Sequence, residues 1–308
     1  MKKNIGLILL TFVSVAWNVG CQNIERPSVA FSFDDGNTRD ILNYKGEEWN
    51  AMIIDQLKKY NLQAVMFVQG KLLNNERGKA FLQKWNNAGN LIANHTYSHL
   101  DYNDSAMTCF MYIREVQRCD SLIKAYSNYR KILRFPFLKA GNTVAKRDSM
   151  NSYLAKIGYG QGWATIDNSD WYINNRLIER LKENPQADLK PFRDFYINHI
   201  YDRALYYNEL SMEINRRQIH HTLLLHINLT SALFLSDLIE KFKKEGWIIE
   251  NYCTVREDKI YNEIPSTMPS DQSLIWMQAK KTGQFENELR YPGEDGEYEK
   301  DKMDRLGL

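Results

Sequence analysis

The stretch Val29-Ala30-Phe31-Ser32-Phe33-Asp34-Asp35-Gly36 joins a short apolar run directly to two carboxylates and a glycine. A continuous run of this kind is typical of a strand buried on both faces, as in a parallel sheet. Adjacent residues of an extended strand point to opposite faces, so we expect a turn at Gly36 to relax that alternation. With such a turn, both carboxylates can contribute to one site.

Apolar runs and amphipathic stretches alternate along the rest of the chain. The patterns predict strands at 29–33, 63–68, 91–94, 131–135, 163–166, 222–226 and 247–251, and helices at 47–60, 78–87, 104–126, 143–157 and 231–245. Strands alternating with helices predict a parallel sheet. We therefore expect an α/β fold of seven strand–helix units closed into a (β/α) barrel, with functional groups at the carboxyl ends of the strands.

Polar residues stand at that end of most predicted strands, namely Asp34 and Asp35, His95, Arg134, Asp167 and His226. His99 follows His95 by four residues, a spacing that puts both rings on one side of a helical turn. Two imidazoles and a carboxylate are typical ligands of a catalytic divalent metal with an open coordination position. The sequence therefore predicts a metal-dependent hydrolase.

Composition and charge narrow the class of protein and its organisation. The 308 residues are 44% apolar and carry a formal net charge of +2, with basic and acidic residues mixed, which excludes the basic footprint of a nucleic-acid-binding protein. Residues 172–220 form a predicted helical insertion, at whose end His220 and His221 are expected to begin a strand rather than bind metal. Residues 264–308 form a polar C-terminal tail, expected to wrap the barrel or to be partly disordered.

The first 21 residues have the pattern of a secretory signal. Lys2 and Lys3 precede an apolar stretch too short to span a bilayer comfortably, and Gly20-Cys21 follows. The pair resembles a bacterial lipoprotein processing site, with Cys21 as the lipidated residue, although Asn18 leaves simple cleavage open. We expect an exported protein of the periplasm or outer envelope whose membrane contact is a lipid anchor at Cys21.

Five motifs give the chain its resemblance to the polysaccharide deacetylase family, which has the chitooligosaccharide deacetylase homology domain and belongs to the carbohydrate esterases. They occur in the family's order as Ser32-Phe33-Asp34-Asp35-Gly36, His95-Thr96-Tyr97-Ser98-His99, Arg134-Phe135-Pro136-Phe137, Asp167-Asn168-Ser169-Asp170-Trp171 and Leu224-Leu225-His226. The resemblance covers about residues 28–252 and implies a distorted (β/α)7 barrel over residues 22–263. Asn37 and Ile227 depart from the proline and the aspartate usual in the family.

The resemblance implies a metal site and a base. Asp35, His95 and His99 would bind a divalent metal, usually zinc, with cobalt or nickel as alternatives. Asp34 would be the general base that activates water on the metal. Arg134 would hold Asp34 in place and keep it ionised.

The resemblance also implies an acid and a substrate pocket. His226 would protonate the leaving amine, and Asp170 would pair with its imidazole. Trp171 would form a wall of the acetyl pocket, and we also assign Tyr97 and Phe137 to the substrate pocket. Amide hydrolysis itself requires charge stabilisation on the oxyanion, which we expect from the metal and from a backbone N–H near Tyr97 or Phe137.

The expected function is removal of N-acetyl or O-acetyl groups from an acetylated polysaccharide or oligosaccharide. Two alternatives remain open at this stage. One is a carbohydrate-binding relative that has lost turnover, and the other is a hydrolase of a different C–N bond in a small molecule. The motifs identify neither the sugar, the metal nor the oligomeric state.

Overall fold

The computed structural model describes residues 26–289 and 296–308. Its strands are β1 (Ser28–Asp35), β2 (Val65–Val68), β3 (Leu91–Asn94), β4 (Tyr129–Leu133), β5 (Gly160–Gln161), β6 (His220–His226) and β7 (Ile248–Ile249). Its helices are α1 (Gly46–Lys59), α2 (Gly70–Leu73), α3 (Glu76–Asn87), α4 (Cys109–Ile123), α5 (Val144–Lys156), α6 (Asp170–Glu183), α7 (Lys190–Asn215), α8 (Leu229–Lys244), α9 (Tyr252–Val255), α10 (Leu274–Thr282) and α11 (Glu297–Arg305). The proposed signal and lipid-anchor residues, 1–21, lie outside the described part.

All paired strands of the seven-stranded sheet are parallel, as the alternation predicts. The order is β5-β4-β3-β2-β1-β6, and β7 pairs with the first two residues of β1. β1 is buried along nearly its whole length, which explains why it is continuously apolar rather than alternating.

The segment from residue 160 to residue 166 closes the curved sheet. Gly160 and Gln161 pair with β4, and Ile166 then forms a parallel bridge to Leu223 of β6. One segment thus connects the two open edges, which gives the predicted distorted barrel. The predicted strand at 163–166 is only this single bridge, because the chain is passing from one edge to the other.

The register of the sheet brings the carboxyl ends of the strands together. Asp34 of β1 lies opposite His226 of β6, and Asp35 lies opposite Val68 of β2. Asn94 of β3 is paired with the strands on either side of it. The residues that follow these strands therefore share one rim.

The helix after β3 begins later than the sequence suggests. It starts at Cys109, and its N-cap is Thr108, whose hydroxyl accepts a hydrogen bond from the backbone of Met111. Asp101 and Asp104 instead accept hydrogen bonds from backbone N–H groups two residues ahead. Such local turns compete with a helix, which is why the prediction of a start near Asp104 was wrong.

The insertion and the tail both pack on the barrel. The insertion consists of α6 and the 26-residue α7, whose Phe192, Tyr196 and Tyr207 are fully buried. His220 and His221 begin β6, as predicted. In the tail, α10 is largely buried against α7, and Met303 of α11 is buried as well. Within residues 26–289 and 296–308, the helices are all too short or too polar to cross a bilayer.

Candidate active site

The turn after β1 separates the two aspartates. Asp35 adopts a left-handed backbone with φ of 73°, and Gly36 follows with φ of 86°. The alternation of the strand therefore breaks at Asp35, one residue before the predicted position. Asp34 remains buried at 3% exposure, whereas the Asp35 side chain is 29% exposed.

The two histidines lie on a loop, not on the predicted helical turn. Thr96 and His99 have φ of 63° and 57°, a conformation that costs non-glycine residues about 1–2 kcal/mol each. Hydrogen bonds support this loop, from the Thr96 N–H to Asn94 Oδ1 and from the Ser98 N–H to Glu115 Oε2. The ring centroids of His95 and His99 are 5.0 Å apart as a result.

Three groups converge in a way that fits a divalent metal. One ligand atom from each of Asp35, His95 and His99 lies within 4.8 Å of the other two. Asp35 Oδ1 is 3.4 Å from His99 Nε2 and 3.8 Å from His95 Nε2, and it is buried without a hydrogen-bond partner among the described residues.

The tautomer of His95 also suits metal binding through Nε2. Its Nδ1 donates to the carbonyl oxygen of Arg134 at 2.8 Å, which leaves Nε2 with its lone pair directed at the site. Burial lowers the pKa of His95 to about 3, so the ring is neutral, as a ligand must be.

Asp34 forms a buried ion pair behind the three metal-binding groups. Arg134 Nη1 donates to Asp34 Oδ1 at 2.7 Å, its Nε donates to the Gly162 carbonyl, and its guanidinium lies over the Phe67 ring at 4.0 Å. Burial raises the pKa of Asp34, and the charge of Arg134 acts in the opposite direction. Arg134 therefore favours the ionised form of Asp34, as expected. The pKa of Asp34 is nevertheless raised, because the effect of desolvation is larger than that of the Arg134 charge.

His226 is held by a second buried carboxylate. Its Nδ1 is 2.7 Å from Asp170 Oδ1, and its backbone N–H donates to Asp170 Oδ2. Asn228 Nδ2 donates to the same Oδ2. Burial acts to lower the pKa of His226, but the Asp170 carboxylate, together with the charges of Asp35 and Asp34, outweighs it and the pKa rises to about 10. The imidazole is therefore protonated at neutral pH and presents Nε2 as a proton donor.

A further pair lies behind Asp170 and was not predicted from the sequence. The backbone N–H of Ser169 donates to Nε2 of the buried His199, so the His199 proton is on Nδ1, which lies 3.3 Å from Glu299 of α11. The tail thereby supports the turn that carries Asp170. No local pattern could reveal this pair, since its members are 100 residues apart.

The metal-binding triad, Asp34 and His226 line one cleft of about 650 Å³. Phe137 and Trp171 present exposed rings to it, and Leu138 and Leu224 add apolar walls. Among the described residues, none that lines the cleft comes from the insertion at 172–220, so the insertion does not form a wall of the cleft. Asp271 and Gln272 of the tail do line it, which the sequence did not indicate.

Two other positions complete the comparison with the sequence. The Tyr97 side chain is buried away from the lining residues: its hydroxyl accepts from Asn74, and Arg118 stacks on its ring at 3.5 Å. The Tyr97 side chain therefore does not line the cleft, and a contribution of its backbone N–H to the substrate pocket stays a prediction. Asp167 lines the cleft as its strand-end position suggested, and burial raises its pKa to about 6.

Sequence comparisons point to one family. A model of the family described as "Polysaccharide deacetylase" matches residues 22–158. The peptidoglycan-N-acetylglucosamine deacetylase of Bacillus cereus is 29% identical over 113 residues, which cover 36% of this chain and 37% of that protein. The chain thus matches little more than a third of the length of this curated relative.

Comparison of folds extends the likeness beyond that segment. The peptidoglycan deacetylase PdaC from Bacillus subtilis superposes with a TM-score of 0.50 at 21% identity, covering 75% of this chain and 91% of the other. A CE4 family pseudoenzyme from Bacillus anthracis gives 0.51 at 16% identity, covering 75% and 66%. A mutant of that pseudoenzyme with restored enzymatic activity gives 0.51 at 18% identity, covering 75% and 67%.

At these identities the structural likeness concerns the fold alone. The fold is that of the CE4 deacetylases, a curled sheet of parallel strands. The family match includes the aspartate pair, both histidines and Arg134. The resemblance noted from the motifs is confirmed: residues 22–158 match the polysaccharide deacetylase family.

Proposed function

We propose that this protein is a metal-dependent deacetylase that hydrolyses acetyl groups on a polysaccharide or oligosaccharide, with N-acetylated sugars as the first substrates to test. One observation carries the proposal: a metal-binding triad, the Asp34 carboxylate that Arg134 holds from behind, and a protonated imidazole meet at the same cleft. The curated relative named for N-acetylglucosamine deacetylation supports the choice of substrate.

Asp35, His95 and His99 would hold the divalent ion, which when bound supplies a Lewis acid that makes water nucleophilic near neutral pH. Zinc suits this donor set, and cobalt and nickel suit it as well. Asp34 lies against the triad, with Oδ2 3.7 Å from His95 Nε2, and takes the proton of the attacking water. Arg134 holds Oδ1 of the Asp34 carboxylate, so that the other oxygen, Oδ2, faces the metal-binding residues, where the attacking water would be activated.

The leaving group requires a proton from another residue. His226 is paired with Asp34 in the strand register. Its imidazole carries that proton, because the Asp170 carboxylate at Nδ1 stabilises the protonated ring. As the tetrahedral adduct collapses, Nε2 of His226 protonates the departing amine, or the departing alcohol if the substrate is an ester. Leu138, Leu224 and Trp171 offer an apolar wall for the acetyl methyl group.

The proposal is tested by acetate release from a panel of chitin oligosaccharides, peptidoglycan glycan strands and acetylated xylan, with zinc, cobalt or nickel added. Release that disappears in Asp34→Asn and persists in Asp55→Asn, an exposed carboxylate of α1, is the expected result. Metal binding without release from any substrate of the panel would instead favour a binding protein that has lost turnover. No acetate release from the panel, together with ring opening of small cyclic amides in a separate assay, would favour the other hydrolase class.

Export and lipid anchoring at Cys21 are part of the same proposal. Acetylated glycans of the cell envelope are accessible only to an exported enzyme, and the signal-like residues 1–21 are consistent with this. Labelling of cells with a radioactive fatty acid tests it. We expect incorporation into the wild-type protein and none into Cys21→Ala; a mature protein that begins at another residue would support simple cleavage.

A further inference from the structure

The tail reaches the catalytic rim through a short segment that is fixed at both ends. Ser270 exchanges backbone hydrogen bonds with the loop after β4: the Ala140 N–H donates to its carbonyl at 2.6 Å, and its N–H donates to the Gly141 carbonyl at 2.9 Å. Four residues later the Leu274 N–H donates to the Ala164 carbonyl at 2.9 Å, where α10 begins. The residues between these anchors cannot move far from the cleft.

Asp271 and Gln272 occupy this fixed segment and line the cleft with the metal-binding and acid residues. Asp271 Oδ1 is buried yet has no hydrogen-bond partner among the described residues. A buried acceptor without a partner is unfavourable in the free protein, because it has lost water and gained nothing in exchange. Such an atom at the wall of an active-site cleft is suited to a donor brought by the ligand.

The nearby Lys139 does not serve as the hydrogen-bond donor to Asp271 Oδ1. Lys139 also lines the cleft, but its ammonium group pairs with Asp101 at 2.6 Å. Burial raises the pKa of Asp271 to about 6, with Lys139 acting to lower it and Asp101 to raise it. The carboxylate is therefore mostly ionised at pH 7 and is an acceptor only.

The neighbouring surface suits a sugar. Phe137 and Trp171 expose 56% and 39% of their surface at this cleft, and flat aromatic faces are suited to packing against sugar rings. A sugar held on such a face still needs a polar contact to fix its orientation, since apolar stacking is not directional.

We propose that Asp271, supplied from outside the segment that matches the family, positions the substrate by accepting a hydrogen bond from a hydroxyl or acetamido N–H of the sugar chain. This inference rests on the proposed deacetylase function. Asp271 touches the sugar and not the reacting carbonyl, so it acts on binding and orientation rather than on proton transfer.

The kinetic test compares two substrates of the metal-loaded full chain, tetra-N-acetylchitotetraose and 4-nitrophenyl acetate, which carries no sugar. In Asp271→Ala, KM for the tetrasaccharide should rise about tenfold or more, as expected for a lost hydrogen bond to a charged group, while kcat/KM for the aryl acetate changes less than about threefold. Asp271→Asn keeps an acceptor oxygen and should raise KM less than about threefold. Asp301→Ala, which removes an exposed carboxylate of α11, should leave both substrates unaffected.

Equal losses on both substrates would show that Asp271 only maintains the fold, and an unchanged KM in Asp271→Ala would show that it does not contact the sugar. Either result overturns the inference.

A binding measurement separates failure of this inference from failure of the proposed function. Calorimetric titration of the metal-free protein with the tetrasaccharide should give a Kd about tenfold weaker in Asp271→Ala, whether or not acetate is released. Unchanged affinity, or no binding to the wild-type protein, overturns the inference, whereas absent acetate release with intact binding overturns only the enzymatic function.

Discussion

Replacing Asp170 by asparagine tests how this site keeps its acid protonated. The pKa of His226 is about 10 although burial acts to lower it, because the Asp170 carboxylate lies 2.7 Å from Nδ1. Asparagine preserves the size of the side chain and an acceptor oxygen but removes the charge. In the variant, burial still favours the neutral ring, and only the charges of Asp35 and Asp34 still oppose it. We therefore expect the pKa of His226 to fall to about 6.5.

The expected loss of activity follows from the protonated fraction. At pH 8, roughly 99% of the imidazole is protonated with a pKa of about 10, but only roughly 3% with a pKa of about 6.5. Acetate release at pH 8 should therefore fall at least about 30-fold in Asp170→Asn. At pH 6 about three quarters of the ring would still be protonated, so protonation alone accounts for less than about a twofold loss.

Two measurements check this prediction. NMR titration of the imidazole in the metal-free protein gives the pKa of His226 directly, and acetate release between pH 6 and pH 9 gives the activity ratio of variant to wild type. Asp55→Asn serves as the matched control. A pKa within one unit of the wild-type value, or an activity ratio that is the same at pH 6 and pH 8, would refute the reasoning and leave Asp170 a purely steric role.

The remaining predictions concern the metal and the buried charges. His95→Ala should lose stoichiometric divalent metal while Asp34→Asn keeps it, as measured by elemental analysis of the purified proteins; full metal occupancy in His95→Ala would disprove the ligand set. Arg134→Met should reduce the free energy of unfolding by about 3–5 kcal/mol in denaturant titrations, because it leaves the Asp34 carboxylate buried without its cation; a loss under about 1 kcal/mol would contradict the buried pair. The pKa of His226 is raised in the folded state, so its stabilisation is fully present below about pH 6.5 and is lost as the pH rises toward 10. Unfolding at pH 6 and pH 9.5 should show this loss in the wild type and a smaller one in Asp170→Asn, and equal losses in both would count against the shift.

Local patterns predicted the central strands well. β3 has the predicted bounds, and β1 extends the predicted run by one residue before and two after it. Both strands are buried on both faces, so every position selects an apolar or small residue and the run is visible in the sequence. β5 and β7 are only two residues long and lie where the sheet curves or ends, so their bounds depend on distant partners rather than on composition.

The motifs likewise indicated the types of catalytic residue but not their conformation. His95 and His99 meet through left-handed residues in a loop, not through a helical turn. The loop's backbone N–H groups donate hydrogen bonds to Asn94 and Glu115, and these bonds outweigh the local preference. The raised pKa of Asp34 could not be predicted either. Its main cause is burial, and the burial of a side chain cannot be deduced from its neighbours in the chain.

The sequence by itself determined the order of the strands and helices, the parallel sheet, and the residue types that stand at the strand ends. These features depend on periodicity and on short spacings, which neighbouring residues specify. Only the tertiary structure decided that Asp271 enters the cleft, that Glu299 supports the turn before Asp170 through His199, and that the Tyr97 side chain contacts Asn74 instead of lining the cleft. Each of these outcomes depends on the packing of elements distant in the chain, and the free energy of such contacts leaves no periodic signal in the sequence.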